Sequence, residues 1–148
     1  MKKLEYTATI AANRQKVWDT MLQPDTYKIW ANATTPQYNS YYEGIWAQGE
    51  NISFVAPGMG GTMATITEYR PNEYVHMRHI ATIHPDGSAK NDPKDTTGWV
   101  GTTESYQLTE NNGNTELKVV IETSENWESM FNEWWPGSIA KLKALCEG

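Results

Sequence analysis

The chain has 148 residues, a formal net charge of −6, 39% hydrophobic and 20% charged residues, and a single cysteine. This length predicts one domain spanning residues 1–148, and the acidic balance without a basic cluster excludes nucleic acid and anionic membrane surfaces as expected partners. No apolar run approaches the roughly 20 residues of a membrane span, one cysteine cannot form an internal disulfide, and the N-terminus lacks the apolar segment of a signal peptide, so we expect a cytoplasmic protein.

The first thirty residues predict a strand followed by two short helices. Apolar and polar residues alternate from 4 to 10, which is the period of a half-buried strand. Asn13 is a candidate N-cap for the first helix. The apolar side of this helix carries Val17, Trp18, Met21 and Leu22. Pro24 either stops this helix or starts the next one, in which Tyr27 and Trp30 share the apolar side.

From residue 44 onward the hydrophobic period changes to two, which predicts an antiparallel sheet. The predicted strands cover residues 44–47, 51–56, 62–70, 74–83 and 99–108. Glu110-Asn111-Asn112-Gly113 predicts a hairpin turn, and the strand after it presents Leu117, Val119 and Ile121 on its inner face. Residues 84–98 have the composition of a loop, and loops of this length are usually functional or disordered. The order β, α, α, several strands, α predicts an α+β domain with its helices on one face of the sheet.

The last stretch, from Glu125 to Leu145, predicts a long amphipathic helix rich in aromatic residues. One face carries Trp127, Met130, Phe131, Trp134 and Trp135 at the spacing i, i+3, i+4, i+7, i+8. Pro136 interrupts this pattern. It either kinks one helix, tilting the two tryptophans before it over a cavity mouth, or begins a second helix.

Four segments of the chain carry residues that occur together in one known fold. The opening segment reads Ile10-x-Ala12, Val17-Trp18, Met21, Pro24, Tyr27 and Trp30. Further matches are Gly61, Ile66, Glu68, Pro71 and Val75, then Asn114-Thr115-x-Leu117, and finally Leu142-Lys143-x-Leu145. In this order the residues resemble the START-like (SRPBCC) superfamily. Within it the chain is most similar to homologues of the C-terminal domain of the heat-shock protein 90 ATPase activator.

The resemblance covers essentially the whole chain and implies a helix-grip fold. It implies a curved antiparallel sheet of six to seven strands wrapped around a long C-terminal helix, with two short helices after the first strand. It also implies an apolar cavity between the sheet and that helix. The run from Trp134 to Gly137 and the segment 84–98 depart from the pattern of the superfamily.

Residue types that bind metals or carry catalysis do not converge in the sequence. His76 and His79 differ by an odd number of positions on one strand and so face opposite ways, whereas zinc needs three or four converging ligands. We therefore predict no metal and no cofactor. Glu68 and Glu104 read as residues of solvated strand faces rather than an acid–base pair. His79, predicted inward, is either a structural histidine or a polar anchor or general base.

The aromatic composition predicts a ligand cavity, because seven Trp and eight Tyr stand against only two Phe. Trp and Tyr favour half-wet sites such as cavity walls. The predicted ligand-binding residues are Trp30, Trp46, Phe54, Met63, Met77, His79, Trp99, Tyr106, Met130, Phe131, Trp134 and Trp135. Such an apolar wall with a few polar groups suits a planar or lipid-like molecule. The alternative is that these side chains fill the space and leave a solid core.

Three functions are compatible with these observations. The first is binding of a small apolar or aromatic molecule without catalysis. The second is a cyclase- or hydratase-type enzyme for an aromatic or polyketide-like substrate, in which His79, Tyr106 or Glu104 handles protons. The third, implied by the resemblance, is a chaperone-interacting regulatory module. We expect a monomer or a homodimer, with no nucleic acid and no membrane among its partners.

Overall fold

The computed structural model describes residues 1–92 and 96–148 and contains one antiparallel sheet with helices packed against it. The strands are β1 (Lys2–Ile10), β2 (Tyr41–Gly44), β3 (Asn51–Ala56), β4 (Gly60–Arg70), β5 (Tyr74–Ile83), β6 (Ala89–Lys90), β7 (Thr103–Asn111) and β8 (Asn114–Thr123). The α-helices are α1 (Arg14–Leu22), α2 (Pro24–Trp30) and α3 (Glu128–Glu147). Short 3₁₀ helices lie at Pro36–Tyr38 and Glu125–Trp127.

The sheet is curved and does not close. Its strand order is β1-β8-β7-β5-β4-β3-β2, so β1 and β2 form the two edges, and the two-residue β6 pairs with the end of β5. The predicted fold, an antiparallel sheet around a long C-terminal helix with two short helices after the first strand, is confirmed. Seven strands follow one path as predicted. The eighth, β6, lies inside the segment that the sequence analysis assigned to a loop.

Two predicted strand positions are wrong, and in both cases a glycine with positive φ is at the boundary. The strand expected at 44–47 lies instead at Tyr41–Gly44, because Gly44 has a φ of 123° and a Cβ there would be 2.4 Å from the carbonyl oxygen of Asn51. The strand expected from residue 99 begins at Thr103, after a turn in which Gly101 has a φ of 99°. By contrast, the predicted hairpin between β7 and β8 is confirmed.

The two short helices begin where the sequence indicates. The Asn13 side chain accepts a hydrogen bond of 2.8 Å from the backbone N–H of Lys16, the geometry of an N-cap. Pro24 occupies the first turn of α2, where its missing N–H costs no hydrogen bond. The Trp30 indole N–H donates to the Met21 carbonyl at 3.2 Å, and so ties the end of α2 to α1. The apolar sides of both helices are buried as predicted.

The helix α3 is continuous across Pro136, so the alternative in which this proline begins a second helix is wrong. The next residue, Gly137, lets α3 approach the segment that follows α2, because a Cβ at Gly137 would lie only 2.3 Å from the Cγ2 atom of Thr34 in that segment. The buried face of α3 carries Phe131, Trp135, Ser138, Ile139, Leu142 and Cys146. This face changes from aromatic to aliphatic along the helix, and the interior changes with it.

Candidate functional site

A pocket of about 620 Å³ lies between the first half of α3 and the inner face of the sheet. Strands β3, β4, β5 and β7 supply one wall, α3 supplies the other, and residues from the end of α2 to position 40 form part of the rim. On β5 and β7 the lining residues His79, Glu104 and Tyr106 lie on the face of the sheet that points toward α3, whereas where β3 turns into β4 the consecutive residues 54–56 and 60–62 line the pocket. The space therefore coincides with the region where the sequence analysis placed a cavity.

Nine of the twelve predicted ligand-binding residues line this pocket. They are Trp30, Phe54, His79, Trp99, Tyr106, Met130, Phe131, Trp134 and Trp135. All of these residues except Met130 carry rings, and each ring contacts at least one other ring of the set. His79 and Trp99 lie edge to face at 4.9 Å between centroids, Trp99 stacks on Phe131 at 5.6 Å, and the two adjacent tryptophans of α3 meet at 4.8 Å.

Three predicted residues, Trp46, Met63 and Met77, do not line the pocket. Met63 lies on the opposite face of the sheet, because its neighbour Thr62 faces the pocket and successive strand residues alternate. Its sulfur lies 3.8 Å from the Asn51 side-chain nitrogen. Trp46 lies beyond the end of β2 and packs against the ring of Phe54, but it does not line the pocket. Met77 is fully buried in the core.

A buried polar cluster, formed by His79, Glu104 and Tyr106, borders the pocket. The His79 Nε2 atom lies 3.3 Å from Glu104 Oε1, and the Tyr106 hydroxyl donates to Glu104 Oε2 at 3.1 Å. The three residues expose 2%, 8% and 4% of their surfaces. The prediction that Glu104 belongs to a solvated strand face is therefore wrong.

Strand register explains how these three side chains meet. Glu104 and Tyr106 are two residues apart on β7 and so share a face. Glu104 pairs with Met77 on β5, which places His79 diagonally opposite it on the same face. The turn before β7 fixes His79 further, because the His79 N–H donates to the Thr102 carbonyl at 2.8 Å and its carbonyl accepts from the Gly101 N–H at 2.9 Å.

Sequence reasoning named Glu104 only as a possible proton-handling residue and assigned it to a solvated face, although a signal for its inward position was present. Tyr106 was predicted to face the cavity, and period-two alternation puts Glu104 on the same face. Tyr27 was also missed as a lining residue, although its burial on α2 was predicted. The remaining missed residues are small or peripheral, such as Thr34, Gly61 and Thr62, and carry no sequence signal of their own.

Burial and the Glu104 carboxylate keep the phenols of Tyr106 and of the neighbouring Tyr27 protonated. Burial, reinforced by the neighbouring Glu104 carboxylate, raises the pKa of Tyr106 well above its ordinary value. Burial is also the main cause of the raised pKa of Tyr27, and Glu104 and Tyr42 add to it. Because a protonated phenol can donate, the Tyr106 hydroxyl is a hydrogen-bond donor to Glu104 and not a base.

Three buried nitrogen atoms around the pocket have no hydrogen-bond partner within residues 1–92 and 96–148. They are His79 Nδ1, Trp99 Nε1 and Trp135 Nε1. Buried polar atoms are nearly always paired, so each unpaired one calls for an explanation. All three belong to residues that line the pocket. The pocket wall is therefore mostly apolar ring surface, with these buried nitrogens in the rings that form it.

The described part of the chain holds neither a metal site nor a helix that could span a membrane. No group of three or more His, Cys, Asp or Glu side chains could hold a metal ion there. Nor is any helix of residues 1–92 and 96–148 long and apolar enough to cross a membrane.

An unclosed antiparallel sheet that grips a long C-terminal helix, with two short helices after the first strand, is the START-like (SRPBCC) fold. The resemblance inferred from sequence is thus confirmed at the level of the fold. No family model matches the chain, and no curated protein matches it.

Solved structures of the same fold match nearly the full length of the chain. The Aha1 dimer from Colwellia psychrerythraea is 23% identical, with a TM-score of 0.74 over 99% of this chain and 97% of that one. A protein from Arthrobacter aurescens is 14% identical, with a TM-score of 0.75 over 97% of this chain and 85% of that one. CalU16 from Micromonospora echinospora is 14% identical, with a TM-score of 0.65 over 99% and 74%. At these identities the likeness establishes the fold alone.

Proposed function

We propose that the chain binds one small, largely apolar molecule with an aromatic part in the pocket between the sheet and α3. The observation that carries this proposal is a space of about 620 Å³ whose walls are mostly aromatic rings. Sites for small molecules span roughly 300–1,000 Å³ and combine apolar walls with a few placed polar groups. The volume and the lining both fit that description.

The shape of the walls favours a planar molecule. On the sheet side, Phe54, His79 and Trp99 form a row of rings, with centroids 6.1 Å and 4.9 Å apart. On the helix side, Trp134 and Trp135 present two faces at 84° to each other. A planar aromatic guest would gain offset-stacked or edge-to-face contacts with these rings.

The test is a titration followed by tryptophan fluorescence, because four of the lining residues are tryptophans. The probes are a panel of aromatic and lipid-like compounds, with the melting temperature as a second readout. We expect aromatic probes to shift the emission spectrum and to raise the melting temperature. If no member of the panel changes either quantity, the proposal is wrong.

Variants locate the binding site in the same experiment. Trp134→Ala removes a half-buried ring from the pocket wall and is expected to weaken binding of the best probe. Trp18→Phe is the matched control, because Trp18 is a buried tryptophan that packs on Tyr69 outside the pocket. Equal weakening in the two variants would contradict the proposed location. Trp135→Ala extends the test to the fully buried neighbour, with unfolding measured in parallel.

A second candidate function, enzymatic proton transfer, is favoured by one specific observation. The His79 ring reaches a buried carboxylate through one nitrogen, and its other nitrogen has no partner in the described residues. A carboxylate that orients an imidazole is the usual arrangement of a general base. In this proposal His79 exchanges the proton, Glu104 positions the ring, and the Tyr106 hydroxyl holds Glu104 in place.

Exchange of hydrogen for deuterium distinguishes this enzyme from a binding protein. A probe that binds in the fluorescence titration and has an acidic C–H beside a carbonyl is incubated in D₂O with the protein, and deuterium uptake is followed by NMR. Catalysed uptake that is lost in His79→Phe supports the enzyme. Uptake at the rate of the buffer alone contradicts it and leaves the binding proposal intact.

The chaperone-interacting alternative and the oligomeric state stay predictions. The similar chain from Colwellia psychrerythraea is described as a dimer, which supports testing the homodimer first. Light scattering coupled to gel filtration measures this state directly. A pull-down against purified chaperone, combined with an ATPase assay, tests the interaction; no binding and no stimulation would dispose of it.

A further inference from the structure

We infer that the molecule bound in this pocket is an organic cation, an ammonium group carried on an aromatic body. This inference rests on the proposed binding function and adds the charge of the ligand. It depends on three independent features of the site: the sign of the charges around the pocket, the aromatic faces of its walls, and an unpaired acceptor on His79.

The charged lining residues in the described part of the chain are both acidic. Glu104 is buried at the base of the pocket and Glu133 is exposed at its rim, whereas no Lys or Arg of residues 1–92 and 96–148 lines it. Within residues 1–92 and 96–148, Glu133 makes no ion pair. An anionic ligand would meet two carboxylates without a compensating cation from the described residues, and solvent screens the repulsion from the buried Glu104 only weakly.

The walls attract positive charge in a second way. Nine of the lining residues are Trp, Tyr or Phe. The face of an aromatic ring carries partial negative charge, so a cation within about 6 Å of a ring centroid is attracted to it, most strongly by tryptophan. Trp134 and Trp135 present rings at 84° to each other, which gives two walls of an aromatic cage.

His79 supplies an acceptor for the N–H of an ammonium group. Its Nε2 atom faces the Glu104 carboxylate at 3.3 Å, and an ionised carboxylate only accepts hydrogen bonds, so the proton of a neutral imidazole belongs on Nε2. The Nδ1 atom then carries a lone pair. It is buried in a residue that is 2% exposed, and it has no partner among the described residues. An N–H donor would pair this atom, whereas a carboxylate or an ether would not.

Three probes of nearly the same shape test the charge preference with the full chain. They are 1-naphthylmethylamine, which is an ammonium ion at pH 7.5, neutral 1-naphthalenemethanol, and anionic 1-naphthoate. We expect calorimetry to give a dissociation constant about tenfold lower for the amine than for the alcohol, and about tenfold higher for 1-naphthoate than for the alcohol. Equal binding of amine and alcohol, or tighter binding of 1-naphthoate, would overturn the inference.

Substitutions of the two carboxylates assign the preference to the site. Glu133→Gln and Glu104→Gln are each expected to lower the ratio of amine to alcohol affinity about threefold or more. Glu133 is exposed, so its variant remains informative if Glu104→Gln fails to fold. Glu116→Gln, an exposed residue of β8 outside the pocket, removes the same charge and is expected to leave the ratio unchanged. A fall in the ratio for Glu116→Gln equal to that for Glu133→Gln would overturn the inference.

The outcomes separate this inference from the proposed function. If the alcohol binds and the charge of the probe makes no difference, the chain binds small molecules and the inference about the cation is wrong. If none of the three probes and no member of the wider aromatic panel binds, both are wrong.

Discussion

The helix α3 faces two different interiors along its length. Its first half contributes Phe131 and Trp135 to the part of the interior that lines the pocket, which we call the pocket end. Its second half faces the aliphatic end, where Ile10, Leu117 and Leu142 have no exposed surface. Branched aliphatic side chains interdigitate closely, whereas rigid flat rings that meet edge to face cannot fill every gap between a sheet and a helix.

The buried polar atoms also differ between the two ends. At the aliphatic end the buried Thr115 hydroxyl donates to the Ala12 carbonyl at 2.7 Å, so its hydrogen-bonding capacity is used inside the protein. At the pocket end, one ring nitrogen each of His79, Trp99 and Trp135 has no partner among residues 1–92 and 96–148; at the middle of α3 the buried Ser138 hydroxyl has none either. The difference teaches that three of the unpaired ring nitrogens lie among the aromatic residues of the pocket end.

The largest expected effect is a loss of stability caused by a substitution at the aliphatic end. Leu142→Ala leaves a cavity in a close-packed region and should lower the free energy of unfolding by about 2–5 kcal/mol. The affinity for a pocket ligand should stay within about twofold, because the residue does not line the pocket. Urea unfolding and calorimetry measure the two quantities. A loss of affinity larger than that of Trp134→Ala would show that the two ends are not separate.

Removing one buried hydroxyl from each end compares their polar interactions. Tyr106→Phe takes away a hydrogen bond to a carboxylate and is expected to cost about 1.5–3 kcal/mol, whereas Thr115→Val removes a bond to a backbone carbonyl and should cost about 1 kcal/mol. Urea unfolding of both variants gives the difference. A cost for Tyr106→Phe no larger than that for Thr115→Val would contradict a stronger hydrogen bond at the pocket end.

Alkaline pH is expected to destabilise the pocket end. The folded protein raises the pKa of Tyr27 and Tyr106, so above pH 10 the unfolded chain loses phenol protons that the folded chain retains. Stability from these two groups is therefore complete below pH 10 and falls above it, by about 1.4 kcal/mol per pH unit for each phenol. Urea unfolding from pH 9 to 11 measures the slope. The double variant Tyr27→Phe, Tyr106→Phe should flatten it, and an unchanged slope would contradict the assignment.

The smallest effect concerns the contact between the pocket rim and α3. Gly137→Ala gains helix propensity of up to about 1 kcal/mol, but its Cβ meets the exposed Thr34 side chain, so the single variant should change stability little. When Thr34→Ala removes that methyl group first, the same substitution should stabilise the protein by about 0.5–1 kcal/mol. Thermal unfolding in a double-mutant cycle detects the coupling, and additive effects would show that Thr34 does not restrict this position.

Local patterns were enough to predict the order of the elements. Asn13 as N-cap, Pro24 at the start of α2 and the Asn-Gly turn between β7 and β8 act within a few residues of chain, and the structure has each of them. Alternation along β5 likewise predicted the buried position of His79. These predictions held because the physical cause and the pattern lie in the same short segment.

The errors in the site came from features that no short segment carries. Between Met63 and Ala64 the pairing of β4 with β5 shifts, because β5 carries one extra residue, Ile80, at that point, and no short segment shows which faces of the two strands then coincide. Whether Met77 lies in the core or in the pocket wall depends on the residues of neighbouring strands. The pairing of Glu104 with His79 needs the register of β5 against β7, which sequence alone does not supply.

The C-terminal turn of α3 also forms hydrogen bonds with the backbone at one end of the edge strand β1. Lys143 Nζ donates to the Thr9 carbonyl at 2.7 Å, the Ala11 N–H donates to the Glu147 carboxylate at 2.9 Å, and the two side chains pair with each other. Free backbone groups on an edge strand are what a strand of another chain would bind, which leads to aggregation. By occupying the Thr9 carbonyl and the N–H of Ala11, just beyond the end of β1, the C-terminal turn of α3 makes these two groups unavailable to a strand of another chain.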